Sequence, residues 1–347
     1  MWYHYFVKRK FIFDFILRLI IKIYLKFRFR KEPKDVSILQ QYINSFIAKM
    51  NNSPISINTD KANEQHYELP PAFFELVLGK HLKYSCGIWH TPMKRSKLLK
   101  HLNKSEEDML DLTFEHANII DGHNILELGC GWGSFSIYLA KRCPNSQIVA
   151  VTNSKDQKNY LESKINQLDL KNLKILKKDV KQLDLDEKFD RIVSIEMFEH
   201  MRNYKRLLNN ISNFIKDDGK LFVHIFTDDN YPYFFETDGR SSWMARNFFR
   251  GGLMPSTDLL FYFTEDFIIN EVWKINGINY KNTLNAWLRK FDKHRKKIKK
   301  ILIEHYGKKE WRSWKNYWRF FFLALSEVFG YKHGNKRYVT HYLLNKR

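Results

Sequence analysis

Cysteine is scarce in this 347-residue chain: Cys86, Cys130 and Cys143 are the only three, and no two share CxxC spacing. That scarcity excludes a disulfide framework, a four-thiolate zinc site and a dithiol redox motif, so no metal centre is expected and a reducing, cytoplasmic setting fits. Glycine (14) and proline (8) are too few for a fibrous or low-complexity chain. The most apolar stretch, WYHYFVKRKFIFDFILRLIIKIYLKFRFRK at the N-terminus, contains no uncharged run of 18 residues, which makes it a poor transmembrane helix. Asp14, Arg18 and Lys22 also break it as a signal peptide. What the chain has in abundance is apolar mass, 44% hydrophobic and 16% aromatic, enough for a globular core.

The formal net charge of +21 is confined to the two ends. Residues 1–34 hold 10 Lys/Arg against 2 Asp/Glu and residues 289–347 hold 18 against 4, while residues 35–288 hold 31 against 32. A nucleic-acid enzyme concentrates basic residues around its cleft, so a near-neutral body argues against a nucleic-acid partner. Basic ends point instead to an acidic surface such as an anionic membrane. Charges at every fourth position (Lys10, Asp14, Arg18, Lys22, Lys26, Arg30) write a spiralling, mostly basic stripe on an apolar helix. Two readings stand side by side: an interfacial helix, peripheral on a membrane, or a helix packed on the protein's own body. Residues 1–50 are taken as this arm, and the polar, turn-rich residues 51–66 as a linker.

The body carries a cofactor signature. NILELGCGWGSFSIYLAKR, residues 124–142, reads as strand, glycine turn and helix, with Gly129, Gly131 and Gly133 allowing close backbone approach to a ligand. Strand-like runs follow at 147–151, up to Asp179, within 189–200, where a buried strand runs into a loop, and at 216–226, alternating with helical stretches such as 155–166 and 203–215. This predicts an α/β, doubly wound, Rossmann-like parallel sheet, with ligands at the carboxyl ends of the strands. A dinucleotide fold would place an acid at the end of the second strand. Here TNS stands there, and the loop is E-x-G-C-G-x-G with an acid, Asp179, after the third strand. That is the pattern of a class I S-adenosylmethionine (SAM) methyltransferase.

Over the whole chain beyond the N-terminal arm the sequence resembles the cyclopropane fatty acid synthase superfamily, which includes the plant coclaurine N-methyltransferases. The resemblance rests on LKYSC, LELGCGWGS, VTNSxxQK, IEMFEHMRNY, GGLMPS and NYWRFFFLALSEVFGY. It implies a SAM-binding core at 67–230, completed by a helical lid at 231–347. It implies cofactor contacts at Tyr84, Ser85, Glu127, Gly129, Cys130, Gly131, Gly133, Thr152, Asn153, Gln157, Asp179 and Val180.

Two branches of that superfamily compete for the acceptor. Cyclopropane synthases methylate an unsaturated phospholipid acyl chain and use bound bicarbonate as base, held by a Cys, a Glu, a His and a Tyr. The matching positions are Cys86, Glu199, His224 and Tyr280. N-methyltransferases carry E-x-x-E-H, here Glu196, Glu199 and His200, where cyclopropane synthases usually begin with glycine. EHMRNY and the absence of a cysteine after Cys143 also resemble the amine branch. A Glu-Glu-His cluster suits an amine, because an ammonium must be attracted and then deprotonated near neutral pH. Each residue also has a plainer reading: Glu199 and His200 as caps of the helix near Asn203, Cys86 as core, His224 as a satisfied interior histidine. The aromatic residues of YPYFFE with Trp243, Phe248, Phe249, Trp273 and Trp287 would wall the acceptor.

Overall fold

The computed structural model describes residues 14–57, 69–90, 93–237 and 243–347. Its helices are α1 (Asp14–Phe29), α2 (Val36–Asn51), α3 (Pro71–Val77), α4 (Leu98–His116), α5 (Ser134–Arg142), α6 (Lys155–Leu168), α7 (Tyr204–Ser212), α8 (Ile278–Lys293) and α9 (Arg295–Gly330), the last broken at Gly307. The strands are β1 (Asn124–Leu128), β2 (Gln147–Thr152), β3 (Leu173–Lys177), β4 (Phe189–Ile195), β5 (Ile215–Asp228), β6 (Tyr233–Phe234), β7 (Leu253–Met254), β8 (Phe267–Ile275) and β9 (Arg337–Lys346).

Seven strands form one sheet in the order β3-β2-β1-β4-β5-β9-β8. The first five are parallel. Parallel strands are buried on both faces, and β1 shows it: Ile125 joins a cluster with Phe135, Leu139 and Leu161 of α5 and α6, while Leu126 and Leu128 join Leu207, Leu208 and Ile211 of α7. The expected α/β architecture is therefore present. The segment expected as a helical lid differs in one respect, since it supplies β8 and β9 to this sheet and the separate short pair β6-β7. β9 inserts antiparallel between β5 and β8, pairing with β5 from Lys220↔Asn345 to Asp228↔Arg337.

α1 packs on the body through Ile21 and Leu25, which are buried against the α8–α9 cluster. Arg18 fixes it, donating to Ser326 Oγ at 2.8 Å, to Asn285 Oδ1 at 2.7 Å and to the carboxylate of Glu327. Arg319 bridges Asp14 (2.8 and 3.0 Å) and Asp292. The opposite face carries Phe15, Leu19, Ile23 and Phe27, which are 48–68% exposed, so the helix packs on its own body with one side and leaves an apolar ridge on the other. No helix among the described residues is long and apolar enough to cross a membrane. The expected linker is pinned over its first residues: Asn203 Nδ2 donates to Asn51 O and Ser53 O, Arg202 N to Ile55 O, and Ser56 bridges Met201. Residues 58–66 of it lie outside the described residues.

Arg18→Ala leaves the Glu327 carboxylate, 3% exposed, with Lys22 at 3.7 Å as its one ion-pair partner among the described residues, and should cost about 3 kcal/mol. Urea denaturation should show that loss, and Arg18→Met combined with Glu327→Leu should recover most of it, because both charges then go together.

Candidate active site

The glycine loop leaves β1 at Leu128. Gly131 (φ +55°) has open space on its Cβ side, with no atom within 4 Å. Gly133 (φ +78°) caps α5, and a Cβ there would lie 2.1 Å from Leu161. The loop is tied to β2 by hydrogen bonds from Gly129 N and Cys130 N to Val151 O. Glu127, pushed up to about 7 by burial, accepts from Ser136 Oγ. At the end of β2, Thr152 Oγ1 donates to Gln157 Oε1 at 2.6 Å, which leaves Gln157 Nε2 a buried donor with no partner. Asn153 beside it is exposed. Asp179 Oδ1 accepts from Lys181 N, starting the short turn in which Val180 is buried. Tyr84 packs between Phe74 and Trp287, at 5.4 and 5.5 Å. A carboxylate, an orphaned amide donor and a loop that admits a ligand at Gly131 thus sit along the carboxyl ends of β1 and β2, the donor and acceptor mix an adenosine needs.

The chemistry gathers around Glu196, which leaves β4 in the left-handed region at φ +48°, a conformation that a non-glycine residue adopts at a cost of about 1–3 kcal/mol. Its N–H donates to His224 O at 2.8 Å. Its Oε2 accepts from Tyr280 Oη at 2.5 Å, and its Oε1 accepts from Cys86 N at 3.2 Å and lies 3.4 Å from His224 Nε2. Of the residues ascribed to bicarbonate, Cys86, His224 and Tyr280 therefore converge on one carboxylate, and it belongs to Glu196 rather than Glu199. Of these donors, Cys86 N and Tyr280 Oη are engaged by the Glu196 carboxylate, while His224 Nε2 has no hydrogen-bond partner among the described residues. Burial, then Glu196, pushes the Cys86 thiol well above its usual range, and Sγ donates to Gly87 O.

Glu199 and His200 form a short turn after Met197. They do not cap the helix that follows, since Asn203 does so by accepting from Arg206 N. Burial raises both carboxyls, and Glu199 rises further because Glu196 is its neighbour. Tyr280 and buried Lys83 pull Glu196 back, so Glu196 is the more acidic of the pair. Burial lowers His200 to about 4, against the pull of Glu196.

Sequence reasoning passed over Lys83, which is fully buried. It donates to Cys86 O at 2.8 Å and to the hydroxyl of Ser85. The signal lay in LKYSC, where a lysine interrupts an apolar run. It also passed over Thr283, whose Oγ1 receives Gly87 N and Trp89 Nε1 and so fastens α8 to the 83–89 strap. Part of the expected aromatic wall is present: Phe249 meets Phe226 and Phe235, Trp287 meets Tyr84 and Tyr280, and Phe248 packs on Trp318 and Phe321. Trp273 is not part of it, because it lies on β8, two strands out from β5, stacked on His116. The Trp243 side chain lies outside the described residues.

Residues 56–326 match the family model described as mycolic acid cyclopropane synthetase. The chain is 33% identical to (S)-coclaurine N-methyltransferase of Thalictrum flavum subsp. glaucum, over 84% of this chain and 81% of that protein. It is 29% identical to cyclopropane-fatty-acyl-phospholipid synthase of Escherichia coli (strain K12), over 66% and 56%. It superposes on a solved structure of coclaurine N-methyltransferase bound to N-methylheliamine and SAH with a TM-score of 0.91, at 30% identity and 96% coverage of both chains. The chain belongs to this family and is a SAM-dependent methyltransferase.

Because burial holds His200 down to about 4, its ring should remain neutral across pH 8 to 5 in histidine-labelled NMR spectra and begin to take up a proton only near pH 4. A midpoint near the ordinary 6.5 would mean that the site is open to water.

Proposed function

With that membership as premise, we propose that the chain transfers the methyl of SAM to the nitrogen of a small hydrophobic amine. Bound SAM supplies the electrophilic methyl; the chain's own groups select, orient and deprotonate the acceptor. The observation that carries the reading is the Glu196 carboxylate, held by Tyr280 and the Cys86 amide at the focus of the site. A buried anion attracts an ammonium, and its raised basicity lets it take the ammonium's proton so that the nitrogen lone pair is free to attack. His200, neutral at pH 7, offers a second acceptor that orients the nitrogen, while protonated Glu199 avoids a second negative charge beside Glu196. Phe249, Phe235 and Trp287 give the cation aromatic faces and exclude water. The similarity to an N-methyltransferase whose solved structure holds an N-methylated product supports the same acceptor class. In this reading Glu196 does, as part of the chain, what a bound bicarbonate would do. The catalytic set is thus Glu196, Glu199 and His200, with Cys86, His224 and Tyr280 shaping the carboxylate's surroundings.

The exposed side of α1 favours a partner as well. Phe15, Leu19, Ile23 and Phe27 follow one another at i, i+4 spacing, with exposed Lys22, Lys26 and Arg30 among them. Apolar side chains at acyl depth with cations at head-group level are what an anionic bilayer surface selects. The protein would meet a hydrophobic amine where such amines partition.

Glu196→Gln should lower kcat/KM toward a secondary amine such as tetrahydroisoquinoline by ~100-fold or more while SAM binding, read by calorimetry, stays intact. Glu196→Gly should make the residual rate rise with added bicarbonate; a Gln variant at wild-type rate would overturn the reading. Leu19→Glu with Ile23→Glu should abolish sedimentation with phosphatidylglycerol vesicles and leave amine turnover in solution unchanged.

A further inference from the structure

The site connects toward the β8 edge of the sheet through histidines that carry no proton in the reaction as described. His224 on β5 is the register partner of His341 on β9, and His341 is in turn the register partner of Trp273 on β8. Directly opposed residues on neighbouring strands share a face and lie within side-chain reach. On that face His224 Nδ1 is 2.8 Å from His341 Nε2, and His341 Nδ1 is 2.9 Å from His116 Nδ1 at the end of α4. His224 and His341 are fully buried; His116, stacked on Trp273 at 3.9 Å, is only half-buried. The inner end, His224 Nε2, makes no hydrogen bond and faces Glu196 Oε1 at 3.4 Å.

Resting on the amine reading, we propose that His224, His341 and His116 form a proton relay that carries the acceptor's proton from Glu196 along this face of the sheet to solvent while the site is closed. Every contact in the chain is nitrogen to nitrogen, so each needs one N–H and one lone pair, and the three neutral rings can be polarised in one of two directions. With the N–H groups pointing outward, protonated Glu196 gives its proton to His224 Nε2. His224 Nδ1–H passes to His341 Nε2, His341 Nδ1–H to His116 Nδ1, and His116 Nε2–H to water. One proton leaves, all three rings are neutral before and after, and Glu196 is again a carboxylate.

The rings then point inward. They reset once the product has left: water in the open site takes the His224 Nε2 proton, and His116 draws one from solvent at the outer end. The electrostatics suit a chain that conducts without storing charge. Burial disfavours the cationic form at all three rings; Lys83 opposes it further at His224 and His341 and the neighbouring rings oppose it at His341, while the charge of Glu271 favours it at His116. The acid therefore rests at the two ends, Glu196 and solvent.

His116 is the member to remove, because it is half-buried and at the end of a helix. His116→Ala should lower kcat for the amine by about tenfold or more without changing KM, and imidazole added to the buffer should restore it saturably. His341→Phe, which breaks the chain where imidazole cannot enter, should be slow and not rescued. If wild type methylates the amine and His116→Ala is as fast and indifferent to imidazole, the relay is overturned and the amine reading stands. If wild type leaves the amine untouched, the amine reading falls. The chain is then judged on 15N-histidine NMR of the whole protein, where scalar couplings across two N–H···N bonds are expected and their absence overturns it.

Discussion

The structure is organised around one buried negative charge. Glu196 sits where β4 ends, in a left-handed conformation, and the groups that hold its carboxylate come from separate parts of the chain: Tyr280 from α8, the Cys86 amide from the 83–89 strap, and His224 from β5. A carboxylate in an apolar interior is tolerated only if donors and an opposite charge compensate it. Lys83 supplies that charge from the same strap. The backbone strain and the convergence of elements are thus two aspects of a single requirement, that one anion be presented at the carboxyl end of the sheet beside the cofactor loop.

Much of this was legible in the chain. E-x-G-C-G-x-G and the absent acid at the end of β2 separate a methyltransferase loop from a dinucleotide one, because each glycine answers a local demand of the backbone. E-x-x-E-H marked the candidate catalytic groups by residue type. What spacing alone does not give is which carboxylate the donors choose: Glu196 and Glu199 are three residues apart, and the turn at Phe198–His200 decides that Glu196 meets Cys86, His224 and Tyr280. β8 and β9 were hidden for a different reason. FIINEVWKI and RYVTHYLLNK alternate only partly, and the aromatic density around them reads equally as helix or core. Trp273 was misplaced with them, and His341, a polar residue inside an apolar strand, acquires meaning only once β9 is seen to lie beside β5.

The basic N-terminal arm packs on the protein's own body with one side of its helix and leaves the other side exposed. Its inner face is structural. Arg18 reaches Asn285 on α8 and Ser326 and Glu327 on α9, and Asp14 reaches Arg319. The stripe of charges, spiralling by about 40° per step, sends some of its members inward to these buried partners and leaves Lys22, Lys26 and Arg30 outside. The same precession exposes an apolar ridge between them.

This arrangement places the arm in mechanical contact with the reacting groups. α8 carries Asn285, which receives Arg18, and on the same helix carries Tyr280, which donates to Glu196, and Thr283, which fastens the strap bearing Lys83 and Cys86. Whatever α1 rests on therefore bears on the helix that sets the position of the central carboxylate. Through α8, Arg18 of α1 is thus linked to Tyr280 and so to the carboxylate of Glu196. Charge at the two ends of the sequence and charge at the centre of the fold are in this way joined by a single helix.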